Sequence, residues 1–357
     1  MKYRKSFIAT SVAMALGVGS VLATGASLAG EFDGVTLKVG TWGGSWKENI
    51  VNVIVPKFEA EGGTIEFVTG SPQANLAKLI AGRGKAPFDI MEILDAQIQD
   101  FRSAEFLQPL SLDAIPNKAH LEDWQVSDDT IGSWFTQETI CYNKDKFAEL
   151  GIEPPKTYSD LANPKLEGRL SIPDITSGGG LANFGAFAHA GGGDEANIQP
   201  GLDLVKSMNA LKFWSRGGEV VTQFQSGDVY AAVVHAGWCV RAKNAGSNVT
   251  TVHPYINDQH TGVHKHGWLG IMKSSENAAA ANWFINEYLD AGFQFEFATK
   301  SGVVPVNKEA IGRLSEDPVL DEMLQTSSEE ISQQLRIDYS KADIADWTDQ
   351  WNRSVAQ

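Results

Sequence analysis

The chain has 357 residues, 43% of them hydrophobic, and a formal charge of −15. That length suits two domains with sizeable cores, and the acidic balance argues against a binder of nucleic acid or of anionic membranes. Only two cysteines occur, Cys141 and Cys239, so the chain is not a cysteine-rich scaffold.

Residues 1–29 open with Lys2, Arg4 and Lys5, continue as an uncharged apolar run over 7–22, and end on Ser27-Leu28-Ala29. This is the three-part pattern of a secretory signal, cut after Ala29. The run is short for a membrane span and is broken by Gly17, Gly19 and Ser20. No cysteine lies near the cut to carry a lipid. Loss of the signal, with three basic and no acidic residues, leaves an exported chain of charge −18.

The stretch 35–46, VTLKVGTWGGSW, organises the rest of the chain. Val35, Leu37 and Val39 alternate with polar or small residues, which predicts a strand. It opens into Trp42-Gly43-Gly44-Ser45-Trp46, where glycines permit a sharp turn and the indoles offer flat faces to a guest. A helix is predicted over 47–61, interrupted at Pro56. A turn of this kind sits at the carboxyl end of a strand, where open α/β sheets bind ligands. The plain alternative is that both tryptophans cap a core.

Strands are then predicted at 64–69 and 88–94, and helices at 71–83 and 97–104; this alternation implies a parallel or mixed sheet covered by helices. Residues 113–129 read as a surface excursion. A long extended run, 131–143, precedes a second strand-helix set. In it, 144–150, 181–190, 198–210 and 237–245 are helical, 157–161 starts a helical turn, and 168–172 and 227–235 are strands. Residues 250–265 read as a histidine-bearing loop. A further strand spans 267–272, with helices at 277–290, 293–300 and 341–355. Two strand-helix sets joined by crossing strands imply a hinge with a cleft between two domains.

Several segments together, TWGGSW, WFTQETICYNKDKF from Trp134, TYSDLANPKLEGRLSIPD from Thr157, HAGWCVRAKNAG from His235 and SGVVPVN from Ser301, resemble a family. The chain is similar to type II periplasmic solute-binding proteins of ABC importers, nearest the spermidine/putrescine-binding group. The resemblance implies a two-domain α/β fold, each domain a mixed sheet with flanking helices. Residues 30–135 with 261–307 would form the first domain, and 136–260 with 308–357 the second. It further implies a periplasmic monomer that captures a small solute and hands it to an inner-membrane permease. No catalytic step, cofactor, metal or nucleic acid is expected.

Polyamine-binding relatives pair ammonium groups with acids and pack methylenes on aromatic rings. Carried onto this chain, that implies ligand contacts at Trp42, Gly43, Ser45, Trp46, Asp174, Ser177, His235, Trp238 and Trp268. The acid expected before the last crossing strand is absent, and Lys265-His266-Gly267 stands there. Asp95 could supply a replacement acid, with Gln97 beside it as a further ligand contact, and a ligand carrying an amine and an anionic group would also suit such a site. Trp42 and Trp268 are expected to meet Asp95 and Asp174 in the cleft. If the ligand is an anion, His235, Lys265 and the glycines 178–180 before a helix are where it would be held.

His264 and His266, with His253 and His260 nearby, have a metal-like spacing, but no cysteine or carboxylate completes a set. Asp128-Asp129 and Glu329-Glu330 diverge as neighbours and read as solvated charge. No G-x-S-x-G or H-E-x-x-H occurs. In an oxidising compartment Cys141 and Cys239 are expected to pair; two buried thiols are the alternative.

Overall fold

The computed structural model describes residues 30–355, so the expected signal 1–29 lies outside the described residues. The first half alternates β1 (Thr36–Thr41), α1 (Ser45–Ala60), β2 (Thr64–Thr69), α2 (Pro72–Ala81), β3 (Ile90–Leu94) and α3 (Ile98–Ser103). β1 lies between β2 and β3 and runs parallel to both. Gly44 starts α1 at φ 62°, a left-handed conformation that side chains rarely adopt. The predicted break at Pro56 is not found: α1 runs through it. Proline removes one hydrogen bond there, and burial of Ile50, Ile54 and Phe58 along one stripe holds the helix across the gap.

Residues 112–125 form three short 3-10 turns pinned by buried Ile115, Leu121 and Gln125. β4 (Thr130–Asn143) is buried over all but its last residue. The second half follows with α4 (Lys144–Leu150), β5 (Leu170–Pro173), α5 (Gly180–Ala190), α6 (Gln199–Ser207), β6 (Lys212–Trp214), α7 (Gly218–Ser226), β7 (Ala231–His235) and α8 (Ala236–Asn244). β6 and α7 have no counterpart in the sequence reading.

The expected loop 250–265 is the second correction. It supplies β8 (Val249–Val252), the hairpin of β9 (Tyr255–Ile256) and β10 (His260–Thr261), and the start of β11 (Val263–Ile271). Pairing to β4 draws these polar residues into extended structure. The chain then adds α9 (Ala278–Tyr288), α10 (Ala291–Ser301), α11 (Lys308–Gly312), α12 (Pro318–Met323), α13 (Ser328–Ser332), β12 (Leu335–Arg336) and α14 (Ile344–Ser354).

The main sheet runs β2-β1-β3-β11-β4-β7-β5-β6, with β12 on β11 and β8 on β4. β11 and β4 pair antiparallel at its centre, and they alone join the two halves of that strand order. This is the two-lobed type II periplasmic binding protein fold, with the lobes joined by crossing strands. The pairing shifts register between Gly267 and Trp268. A Cβ at Gly267 would lie 2.2 Å from the Trp134 ring, so only glycine fits beneath that indole.

One core runs from Ile50, Phe58 and Tyr288 across the centre to Cys141 and Cys239. The structure joins these cysteines in a disulfide that ties β4 to α8. A second core gathers Tyr158, Phe184, Trp347 and Trp351, so α14 seals the second half. A third holds Leu79, Met91, Phe101 and Trp268.

Candidate functional site

A cavity of about 450 Å³ lies between the β1–α1 turn and the strand ends of the second half. Trp42, Trp46, Trp134, Trp214 and Trp238 line it. Trp46, on the first turn of α1, stands edge-on to Trp134 at 5.0 Å and to Phe297 at 4.6 Å. Its Nε1 donates to Glu92 Oε1 at 2.9 Å. Trp42 reaches across the cleft: a Cβ at Gly178 would touch its ring at 3.5 Å. Trp214 is anchored by its Nε1 donating to the Val233 carbonyl at 3.0 Å. Such rings give an apolar, flat-sided box.

The charged groups on the lining are Arg216, Arg241 and Lys265, and no Asp or Glu is among the lining residues. Arg241 lies 4.3 Å over the Trp238 ring, and its NH2 donates to Ser45 Oγ at 3.2 Å. It thereby spans from α8 to the turn of the other lobe. Burial holds its pKa below the usual guanidinium value. Neither Arg241 nor Arg216 has a carboxylate partner among the described residues. Lys265 differs: its Nζ is 3.2 Å from Glu138 Oε1 and donates to the Gly178 carbonyl at 3.0 Å. Glu138 is wholly buried and also accepts from Thr136 Oγ1 at 2.9 Å and Asn183 Nδ2 at 2.7 Å. His235 Nδ1 accepts from the Gly237 N–H at 3.1 Å, capping α8. Burial, with Lys265 and Arg241 nearby, pushes its pKa well down, so the ring is neutral with its proton on Nε2. Gly178 and Gly179, at the N-terminus of α5, complete the wall.

The structure divides the predicted residues. Trp42, Gly43, Ser45, Trp46, His235 and Trp238 share this cavity. Asp95, Gln97 and Ser177 line a second one, of about 610 Å³, and Lys265 and Gly178 form the wall common to both. Trp268 is 6% exposed and lines a third cleft with Asp95 and Arg336. Asp174 lines none of the three; it accepts from Thr176 N and Oγ1 in a local turn.

The expected meeting of Trp42 and Trp268 with both acids is therefore not found. β3 and β11 are neighbours, so Trp268 Nε1 donates to Asp95 itself at 2.6 Å, and the His266 N–H donates to it at 2.8 Å. Burial still raises the Asp95 carboxyl to about 6 against those bonds. Arg241, Arg216, Trp134 and Trp214 escaped the sequence reading as site residues. Arg241 stands three residues after Trp238, one helical turn on, which was the available signal.

His264 and His266 stack at 5.3 Å, with Phe135 4.1 Å from His264. Among the described residues no group of three His, Cys, Asp or Glu side chains is placed to hold a metal ion.

Residues 43–295 match the family described as bacterial extracellular solute-binding protein. The chain belongs to that family. Its members serve ABC transporters as exported binding proteins that take up small solutes and deliver them to a membrane permease. Among curated proteins, none matches the chain. Solved structures share the fold. An ABC transporter substrate-binding protein from Bradyrhizobium japonicum superposes with a TM-score of 0.74 at 17% identity, covering 90% of this chain and 99% of that one. A putative spermidine/putrescine ABC transporter from Listeria monocytogenes gives 0.69 at 20% identity, covering 88% and 97%. A periplasmic binding protein of A. tumefaciens in complex with glucopine gives 0.69 at 19% identity, covering 90% and 98%.

Proposed function

We propose that this binding protein captures a small organic anion or zwitterion, with its acidic group on Arg241 and its apolar part between tryptophans. The observation that carries the reading is a cavity lined by five tryptophans and three cations with no carboxylate on its wall. Arg241 offers a planar fork suited to a carboxylate or phosphonate. Its hydrogen bond to Ser45 Oγ leaves other donors for a guest. The Nε2–H of neutral His235 and the start of α5 add further donors to the same wall. With 136–260 and 308–357 as one lobe and 30–135 with 261–307 as the other, lobe opening would break the Arg241–Ser45 bond to admit the guest and closure would remake it as a seal. The protein would bind without turnover, as a periplasmic monomer.

A polyamine is the second reading, supported by Asp95 on the second cavity wall and by the spermidine/putrescine neighbour. A thermal-shift panel on refolded, ligand-free protein separates the two. At a hundredfold its Kd a true ligand stabilises by about 2.7 kcal/mol. Amino acids, aminophosphonates or small carboxylates should raise the midpoint. A shift with putrescine or spermidine alone would overturn the anionic reading.

A further inference from the structure

Glu92 is a carboxyl inside an otherwise apolar strand, IMEIL, and it is 2% exposed. Its Oε1 accepts from Thr41 Oγ1 at 2.9 Å, Trp46 Nε1 at 2.9 Å and Tyr288 hydroxyl at 3.3 Å. Its Oε2 is buried with no hydrogen-bond partner. The carboxyl thus lies directly behind a cavity wall, holding the indole that faces the guest.

Its surroundings hold no balancing charge. On β1, Lys38 is exposed; on α1, Glu48 is exposed and Lys47 lies 5.1 Å over the Phe67 ring. Lys265 of β11 is taken by Glu138. On α9, Glu287 pairs with Lys57, and on α10, Glu296 pairs with Lys300. Tyr288 is the titratable group in contact with it. An ionised Glu92 would leave charge on an oxygen that nothing solvates, whereas a proton on Oε2 replaces that cost by the smaller one of an unpartnered hydroxyl.

We propose that Glu92 is a proton-controlled positioning residue, which holds Trp46 as a wall of the binding cavity and whose gain or loss of a proton resets that hold. The reading is independent of the charge of the solute. Burial raises this carboxyl to about 7, so the change falls in a pH range an exported protein meets. Above it, the bonds from Thr41, Trp46 and Tyr288 to Oε1 become charge-assisted and tighten, and water or a rotated carboxyl must serve Oε2, which moves the indole.

The test tracks the Trp46 indole N–H by ¹⁵N–¹H NMR in ligand-free protein between pH 5 and 9, with Trp46→Phe to assign the signal. The Trp46 resonance should move with a midpoint near 7, and should stay fixed across that range in Glu92→Gln, which keeps the shape but cannot ionise. A second readout does not depend on the Trp46 signal: the acid-form carbonyl stretch of a buried carboxyl should fade over the same pH range in wild-type protein and be missing from Glu92→Gln. A Trp46 signal that is flat with pH in wild-type protein, or that titrates equally in Glu92→Gln, overturns the proposal. A carbonyl band unaffected by Glu92→Gln overturns it too.

Discussion

Two cavities meet at Lys265, and their polar groups are used in opposite ways. On one side Arg241 and Arg216 face a tryptophan box with no carboxylate to pair with. On the other, Asp95 is committed to Trp268 Nε1 and the His266 N–H, so it holds the crossing strand β11 to the end of β3. The resemblance to polyamine binders implied acids for an amine. The commitments of each group reverse that weighting, because a carboxylate already accepting two hydrogen bonds has less left to offer a guest than an unpaired guanidinium.

The wall between the cavities is where the contrast can be broken most severely. Glu138→Ala should cost about 3–5 kcal/mol of stability, since it strands Lys265 as a buried charge without its counter-ion. Urea denaturation measures this, and a loss under about 1 kcal/mol would mean that the Gly178 carbonyl and water suffice for the lysine. Next in size is the disulfide behind the tryptophan box. Replacing Cys141 and Cys239 together by Ala should cost about 2–4 kcal/mol by opening a long loop in the denatured chain, with a sequence separation of 98 between its ends. Guanidinium midpoints with and without reductant give the same comparison in wild-type protein.

The pH dependence of stability sharpens the comparison further. Asp95 and Glu92 are raised by burial to about 6 and about 7. The folded state therefore holds their protons where the unfolded state has lost them. Their stabilisation is present below the ordinary carboxyl range and lost as pH rises through 6 to 7. Buried His253, His264 and His266 are held below their ordinary value, so they act in the opposite sense and lose stability as pH falls below about 6.5. The difference between wild type and Glu92→Gln isolates one carboxyl from this balance. Wild type should lose about 1–3 kcal/mol relative to the variant between pH 5 and pH 8. No relative change would place the Glu92 titration elsewhere.

The smallest effect belongs to Asp129. It was expected to be a solvated charge, yet it takes Arg102 through both carboxylate oxygens, and Ser127 Oγ as well. Arg102 and Asp129 remain partly exposed, so Asp129→Ala should cost about 0–1 kcal/mol and leave solute affinity unchanged.

Much of the fold was legible because it rests on local pattern. β2 and α4 fall on their expected residues, since alternation marks the one, and the Asn143 cap and the left-handed Gly151 bound the other. What failed depended on partners distant in sequence. Pro56 sits in a helix because the core grips Ile54 and Phe58 around it. The end of the expected loop, Val263 to Lys265, looked irregular because its polarity hid the start of β11, fully buried and paired with β4. In the site, the turn 42–46 and the start of α8 could be read from their aromatics. The roles of Asp95 and Arg241 could not, because each depends on which strand or turn lies opposite. Glu92 was passed over although a carboxylate within IMEIL is itself an anomaly.

The central claim, that the guest is held by the cationic side of the cleft, is tested most directly by calorimetric titration. The solute that most raises the melting midpoint should be titrated into wild type, Arg241→Ala and Asp95→Asn at one pH and salt concentration. Arg241→Ala should weaken binding by about 2–5 kcal/mol, roughly thirtyfold or more. Asp95→Asn, which keeps an acceptor for Trp268, should stay within about fivefold, or about 1 kcal/mol. Unchanged affinity in Arg241→Ala together with loss of binding in Asp95→Asn would contradict the account and return the guest to the acidic side as an amine.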